Sequence, residues 1–310
     1  MHGLIGIDWG TSHLRAYLLD DDGAVLERRA RPWGLRQLPE GGFDAALADL
    51  VQGWPAAPRL AAGMVGSRNG WREVPYLDLP ADAAAIAAAL SSVQAADGRP
   101  LHLVPGLRDP AGPNVMRGEE TQIVGALALR PALAARATLL LPGTHSKWAQ
   151  VRDGAVVRFH TAMTGELYAL LRRHSILGAG LPDTVPDAPD AFQRGVRAAR
   201  DSGPAGALSA LFSTRALMLD GALASAAVPD YLSGLLIGEE LRAALAAGWA
   251  TPGEPLQLVG DAALCARYAA AAESFGLHPD DALESATAQG LWHIAGAAGL
   301  CRTHPQGVSA

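Results

Sequence analysis

Two segments in opposite halves of the chain repeat one pattern, and that repeat limits the fold more than any other feature. In the first, Leu4-Ile5-Gly6-Ile7 reads as a buried strand and Asp8-Trp9-Gly10-Thr11-Ser12 as a polar turn. Leu14 to Leu19 resumes as a strand, Asp22-Gly23 turns, and Ala24-Val25-Leu26 returns. In the second, Leu139-Leu140-Leu141 is the apolar strand and Pro142-Gly143 breaks it. Thr144, His145, Ser146 and Lys147 follow, then another strand, an Asp153-Gly154 turn and Val156-Val157-Arg158-Phe159. Gly10-Thr11-Ser12 lies over Gly143-Thr144-His145, and Asp22-Gly23-Ala24-Val25 over Asp153-Gly154-Ala155-Val156. An Asp-Gly pair between two such runs is a strong hairpin signal. A period of half the chain is too long for a solenoid. It predicts two similar α/β domains, placed at residues 1–133 and 134–310.

The chemistry of the repeated turn is specific. Glycine lets backbone N–H groups come close to an anion, and the adjacent hydroxyl adds a donor. Two such bends facing one cleft can hold a polyphosphate from both sides, with Gly10, Thr11 and Ser12 on one and Gly143, Thr144 and His145 on the other. Lys147 is the only lysine of the chain. Its ammonium is a compact charge suited to a phosphate oxygen, and the alternative is a solvated strand residue. Asp8 ends the first strand and would face the same anions. Two negative groups repel unless a cation lies between them, so Mg²⁺ is expected near Asp8, through water, because the ion keeps much of its hydration shell.

Bulk properties narrow the partners. The 310 residues are 49% hydrophobic and carry a net charge of −6 without a basic run, which argues against nucleic acid. Cys265 and Cys301 offer neither a disulfide framework nor a metal-ligand spacing, and they suit a reducing cytoplasm. No signal peptide is expected, because Asp8 ends the first apolar run. Leu232 to Ala247 is interrupted by Glu239, Glu240 and Arg242, so it reads as a soluble helix and not a membrane span. Ser146 precedes the lysine where a P-loop needs glycine, no Gly-x-Gly-x-x-Gly follows a strand, and no Gly-x-Ser-x-Gly elbow is present.

Ile7-Asp8-Trp9-Gly10-Thr11 with Leu14-Arg15-Ala16 resembles the first phosphate motif of the actin-like ATPase superfamily of sugar kinases, heat-shock chaperones and actin. More narrowly, the blocks IDWGTSHLRAYLLD, GMVGSRNGWREVPY, VMRGEETQIVGAL, LPGTHSKW and TAMTGELYALLRRHSIL resemble the 2-dehydro-3-deoxygalactonokinase family. They run from Ile7 to Leu177. The resemblance implies two similar lobes of the ribonuclease H-like fold with an ATP cleft between them. It implies ATP-dependent phosphorylation of the 6-hydroxyl of 2-dehydro-3-deoxy-D-galactonate in cytoplasmic galactonate catabolism. A homo-oligomer is compatible with it.

The remaining candidates follow from that implied reaction. Arg68 could pair bidentately with the sugar-acid carboxylate, Asn69 could bond hydroxyls, and Trp71 could pack on the carbon chain; Arg108 is a second carboxylate candidate. Glu119 and Glu120 open a helix, where acids suit the macrodipole. One of them would take the proton of the attacking hydroxyl, and the sequence leans to Glu119 without settling it. His145 or Lys147 would balance charge on the transferring phosphoryl. Gly260 and Asp261, between a strand and a helix, match the adenosine motif, and an ordinary strand-to-helix corner is the alternative. The Thr161 to Leu177 block has Thr164 as an N-cap and His174 as a C-terminal cap, with a surface that could face substrate or a second subunit. Helices are predicted over Ala191–Arg200, Ala205–Ala224 and Tyr231–Ala247. Two other functions remain: a phosphoanhydride hydrolase resembling exopolyphosphatases, in which water replaces the sugar, and a non-enzymatic nucleotide-gated actin-like module.

Overall fold

A computed structural model of the protein describes residues 2–181 and 186–301. The first repeat forms β1 (His2–Trp9), β2 (Leu14–Asp20) and β3 (Val25–Arg31). β1 and β2 pair antiparallel with Trp9 opposite Leu14, and β2 pairs with β3 in the same sense. Between β2 and β3, Asp20 Oδ1 accepts the amides of Asp22 and Ala24 and so ties the turn. Helix α1 (Gly42–Leu50) leads into β4 (Arg59–Gly63), which joins β1 in parallel.

After β4 come β5 (Leu77–Asp78), α2 (Ala83–Ala88), β6 (Ser91–Gln94) and β7 (Pro100–Leu103). The larger sheet has the order β3-β2-β1-β4-β7-β6. Its central strands β1 and β4 are almost wholly buried, as strands covered on both faces must be. The core cluster beside them holds Trp9, Leu47, Leu50, Leu101 and Leu103. A small sheet, β5-β8-β9, adds β8 (Leu107–Asp109) and β9 (Asn114–Met116), and α3 (Glu119–Leu129) follows directly.

The second repeat forms β10 (Arg136–Leu141), β11 (Ser146–Arg152) and β12 (Ala155–Ala162). Asp153 and Gly154 both have positive φ, 49° and 78°, as the Asp-Gly hairpin signal requires. Helices α4 (Thr164–His174), α5 (Pro189–Arg200), α6 (Ser213–Leu219) and α7 (Val228–Ala246) precede β13 (Leu256–Val259), α8 (Ala262–Ala272), β14 (Asp280–Leu283) and α9 (Ala286–Ala297). The sheet order is β12-β11-β10-β13-β14, with β10 and β13 parallel. The two larger sheets thus each begin with three consecutive strands in neighbouring positions, the first of which then joins a parallel neighbour.

The chain divides into two compact units. One comprises Met1–Ala137, Ala149–Phe159 and Leu283–Ala310; the other comprises Thr138–Trp148 and His160–Ala282. In the first, α3 and α9 cross at closest contact: a side chain on Gly125 would collide with the Ala286 carbonyl, and one on Gly290 with that of Thr121. The crossing anchors the start of α3.

Three local expectations fail. The continuous helix over Ala205–Ala224 is reduced to α6, because Gly206 and Gly221 adopt positive φ and close turns on either side. Thr164 is the first helical residue of α4 and not its N-cap; its hydroxyl is drawn away to Glu240. At the other end Ser175, not His174, supplies the capping contact, donating to the Leu171 carbonyl at 2.5 Å.

Candidate active site

In the first unit the chemistry collects at the carboxyl ends of β1 and β4, where ligands of open parallel sheets generally bind. Asp8 lies at the end of β1 with its side chain 24% exposed, and it forms a 3.4 Å ion pair with Arg15. Burial lifts its carboxyl above the usual range, opposed by the Arg15 charge. Beside it, the Gly10 amide donates to the His13 carbonyl at 2.9 Å and closes the bend. The carbonyls of Gly10 and Thr11 accept from the amides of Leu35 and Arg36, both at 3.2 Å. Gly34 lies so close under Thr11 and Ser12 that no Cβ would fit. Among the described residues the amides of Thr11, Ser12 and His13 donate to no protein acceptor. Unpaired N–H groups on one short bend are a concave anion site.

Gly63 connects this bend to the paired acids. A Cβ on it would stand 2.8 Å from the Trp9 carbonyl and 3.6 Å from Asp8 Oδ1, while one on Gly118 would stand 3.4 Å from Gly63 Cα. Glu120 is fully buried at the start of α3, accepting from the Gly118 amide at 2.6 Å and from the Thr121 hydroxyl at 3.0 Å. Burial, reinforced by the neighbouring charge of Glu119, raises its pKa to about 7. Glu119 is partly exposed and accepts from the Arg117 amide at 3.0 Å.

The Gly66–Trp71 loop meets the same region. Arg68 and Asn69 are exposed at its tip, and among the described residues neither side chain has a hydrogen-bond or ion-pair partner. Trp71 turns inward, stacked on Phe43 at 5.5 Å and edge-on to Trp9 at 6.1 Å, so its ring serves the core. Arg108 stands on the small sheet in a bidentate pair with Asp78, at 2.6 and 2.9 Å. Sequence reasoning passed over Arg117. Its guanidinium lies over Tyr76 at 4.4 Å and donates through Nη2 to the Val74 carbonyl, while Nε and Nη1 are buried with no hydrogen-bond partner among the described residues. A side chain on Gly66 would come within 3.1 Å of Nη1. The arginine immediately before Gly118-Glu119-Glu120 was the available signal.

In the second unit the bend between β10 and β11 is braced in the same manner. The Glu166 amide donates to the Thr144 carbonyl at 3.0 Å, as the Arg36 amide does to Thr11. Gly165 packs against Gly143 and Thr144 as Gly34 packs against Thr11 and Ser12. The amides of Thr144 and His145 donate to no protein acceptor among the described residues. His145 Nε2 lies 2.5 Å from Glu166 Oε2. The TAMTGE block thus has a physical role, as the support under the second bend. The opposite side of α4 exposes Leu167 and Leu170.

Lys147 is 4% exposed, with Nζ donating to Thr161 Oγ1 at 3.0 Å, so the solvated alternative fails. Gly260, with φ 135°, faces the Pro142 carbonyl beneath the bend, and Asp261 caps α8 by accepting the Leu264 amide at 3.0 Å. Glu240, on α7, was not foreseen. It is buried and accepts from Trp148 Nε1 at 2.9 Å, from Tyr268 OH at 2.6 Å and from the Thr164 hydroxyl.

The architecture is that of the actin-like ATPase and sugar kinase fold. The (R)-2-hydroxyglutaryl-CoA dehydratase component A from Acidaminococcus fermentans shares it at 12% identity and TM-score 0.54, covering 95% of this chain and 96% of that one. The 2-keto-3-deoxy-galactonokinase family model matches residues 8–294, and the chain belongs to that family. It is 40% identical over 276 residues to the 2-dehydro-3-deoxygalactonokinase of Escherichia coli (strain K12), covering 88% of this chain and 90% of that one. It is 39% identical over 304 residues to a probable 2-dehydro-3-deoxygalactonokinase of Rhizobium meliloti (strain 1021), covering 93% and 97%. A crystal structure of a protein assigned that activity, from Sinorhizobium meliloti, superposes with TM-score 0.85 at 38% identity over 95% of this chain and 98% of that one. Among the described residues no helix is long and apolar enough to cross a membrane.

Proposed function

We propose that the protein transfers the γ-phosphoryl group of ATP to the 6-hydroxyl of 2-dehydro-3-deoxy-D-galactonate, in cytoplasmic galactonate catabolism. Family membership supplies the reaction class. The observation that carries the site assignment is the pair of braced bends with unpaired amides. Gly10, Thr11 and Ser12 in one unit and Gly143, Thr144 and His145 in the other are the groups that bind phosphate oxygens. A bend whose carbonyls are already engaged keeps its N–H groups aimed outward without reorganisation when charge develops.

Asp8 suits Mg²⁺. Its carboxylate is partly exposed and among the described residues is bonded only to Arg15, and Mg²⁺ commonly takes one or two carboxylates, phosphate oxygens and water. The ion would neutralise phosphate charge. Asp8 would fix its place through water, and Arg15 keeps the carboxylate oriented.

Glu119 is the proposed base. A base must come within hydrogen-bond reach of the proton it takes, and Glu119 is the exposed member of the pair. Glu120 holds the helix start in position. Arg68 is the proposed first contact for the sugar-acid carboxylate, with Asn69 beside it on hydroxyls. The unpaired edge of Arg117 supports a second cationic contact behind that loop. Arg108 is left out, because Asp78 already occupies its fork. Gly260 and Asp261 stay with the adenosine. Lys147 acts at a distance, as buried charge beneath the second bend.

The direct test is a panel of 2-keto-3-deoxy sugar acids and simple sugars incubated with ATP and Mg²⁺, read as ADP release and as the phosphorylated product by mass. Turnover confined to the galactonate derivative supports the proposal. ATP turnover indifferent to any sugar acid supports the hydrolase instead.

A further inference from the structure

We infer that Glu240 is a positioning residue for the second phosphate bend, acting through a buried network that no part of the reaction uses directly. This rests on the reading of Gly143–Thr144 as a phosphate-binding bend. Oε1 of Glu240 accepts from Trp148 Nε1, and Oε2 accepts from both Tyr268 OH and Thr164 Oγ1. Tyr268 OH also contacts Ser146 Oγ at 2.9 Å. Ser146 and Trp148 are on β11, where the chain leaves the bend. Thr164 begins α4, one residue before the glycine packed on Gly143 and two before the amide that holds Thr144.

One carboxylate on α7 therefore grips the strand that exits the bend and the helix that braces it. Ser146, Thr164, Glu240 and Tyr268 are all buried, so no solvent substitutes for a lost partner. Burying a carboxylate for packing alone would be wasteful, since it needs partners to offset its desolvation. Five hydrogen-bonding side chains meeting beside one bend give it a use: they define where the amides of Thr144 and His145 point. A displacement of about 1 Å in such a group costs on the order of a hundredfold in rate.

The chemistry predicts how substitutions grade. Glutamine has the shape of glutamate. Its carbonyl still accepts from Trp148, and its amide donates to the Thr164 and Tyr268 hydroxyls, which reverse their roles. Glu240→Gln therefore keeps the connections. Tyr268→Phe keeps the ring and removes only the hydroxyl that links Glu240 to Ser146, with its two hydrogen bonds. Glu240→Leu removes both acceptor oxygens and all three hydrogen bonds.

The experiment has two readouts on the full-length protein. Peptide-level hydrogen exchange over residues 143–150 and 163–168 reports the positioning itself. KM for ATP, measured against KM for the sugar acid, reports the consequence for the reaction. Tyr268→Phe should speed exchange in both peptides about tenfold or more, with exchange in β1 to β4 preserved. It should raise KM for ATP about tenfold and leave KM for the sugar acid within twofold. Glu240→Gln should fall between wild type and Tyr268→Phe. Glu240→Leu should exceed both, and if it does not fold, the other two variants decide. Unchanged exchange in both peptides of Tyr268→Phe, or exchange raised equally through the whole chain, overturns the inference. Faster exchange at the bend with an unchanged KM for ATP upholds Glu240 as positioning residue and removes the bend from the ATP site.

Discussion

The backbone amide of Glu166 donates to the carbonyl oxygen of Thr144 at 3.0 Å, and the residue between the helix start and that amide, Gly165, has no room for a Cβ. A methyl group there would meet the Gly143 carbonyl and stand 2.8 Å from Thr144 Cα. Gly165→Ala should displace α4 from the bend. Overpacking of this kind costs about 1–3 kcal/mol. Thermal unfolding should show that loss, and KM for ATP should rise while KM for the sugar acid holds.

Glu119 and Glu120 differ in what they can touch, since one is partly exposed and the other is 0% exposed. Glu119→Gln should lower kcat by ~10²–10⁴, the range for a lost general base. Glu120→Gln should lower it less, because glutamine still accepts from Gly118. Steady-state kinetics with saturating ATP separates the two, and a larger loss at position 120 would reverse their roles.

The raised pKa of Glu120 makes a statement about stability against pH. Its folded value, about 7, lies above the ordinary 4.5, so the folded state holds the proton more tightly. Stability from this group is therefore intact below about 4.5 and falls as pH rises toward 7. The full effect is roughly 3 kcal/mol. Glu240 is raised in the same direction by burial, so wild type alone cannot isolate the slope. The difference between wild type and Glu120→Gln, from denaturant unfolding at pH 4.5 to 8, should show it.

Asp8→Asn keeps the size of the side chain and removes its charge. Activity titrated with Mg²⁺ should then need a higher concentration for half-saturation, and ATP affinity in the absence of the ion should not fall. An unchanged Mg²⁺ requirement would take Asp8 out of the site.

The two arginines proposed from the sequence should part company. Arg68 is exposed without a partner among the described residues, whereas Arg108 is held by Asp78 through two bonds. Arg68→Ala should raise KM for the sugar acid about tenfold or more, the loss expected for a charge-assisted contact. Arg108→Ala should change KM less than twofold, since it removes an exposed ion pair of small worth.

The hairpins and bends were legible because their causes are local. Asp153-Gly154 must turn, Leu139-Leu140-Leu141 must be buried, and a glycine followed by a hydroxyl between two strands makes a bend able to present amides to an anion. The duplication of that pattern, read without coordinates, pointed to two similar domains, and the resemblance of the motifs to a known family named the fold class. What it could not contain was the partner of each charged side chain. Arg68 and Arg108 look alike in sequence, and only the neighbouring strand that brings Asp78 against Arg108 tells them apart. Trp71 stood in a functional-looking loop until Phe43 and Trp9 claimed its ring. Glu240 lay in a helix that reads as a charged interruption of an apolar run. It became a buried hub only because Trp148, Thr164 and Tyr268 arrive from three other elements. Backbone geometry is set within a few residues of the chain, but burial and hydrogen-bond partners are set by segments far apart in sequence, and those existed only once the chain had folded.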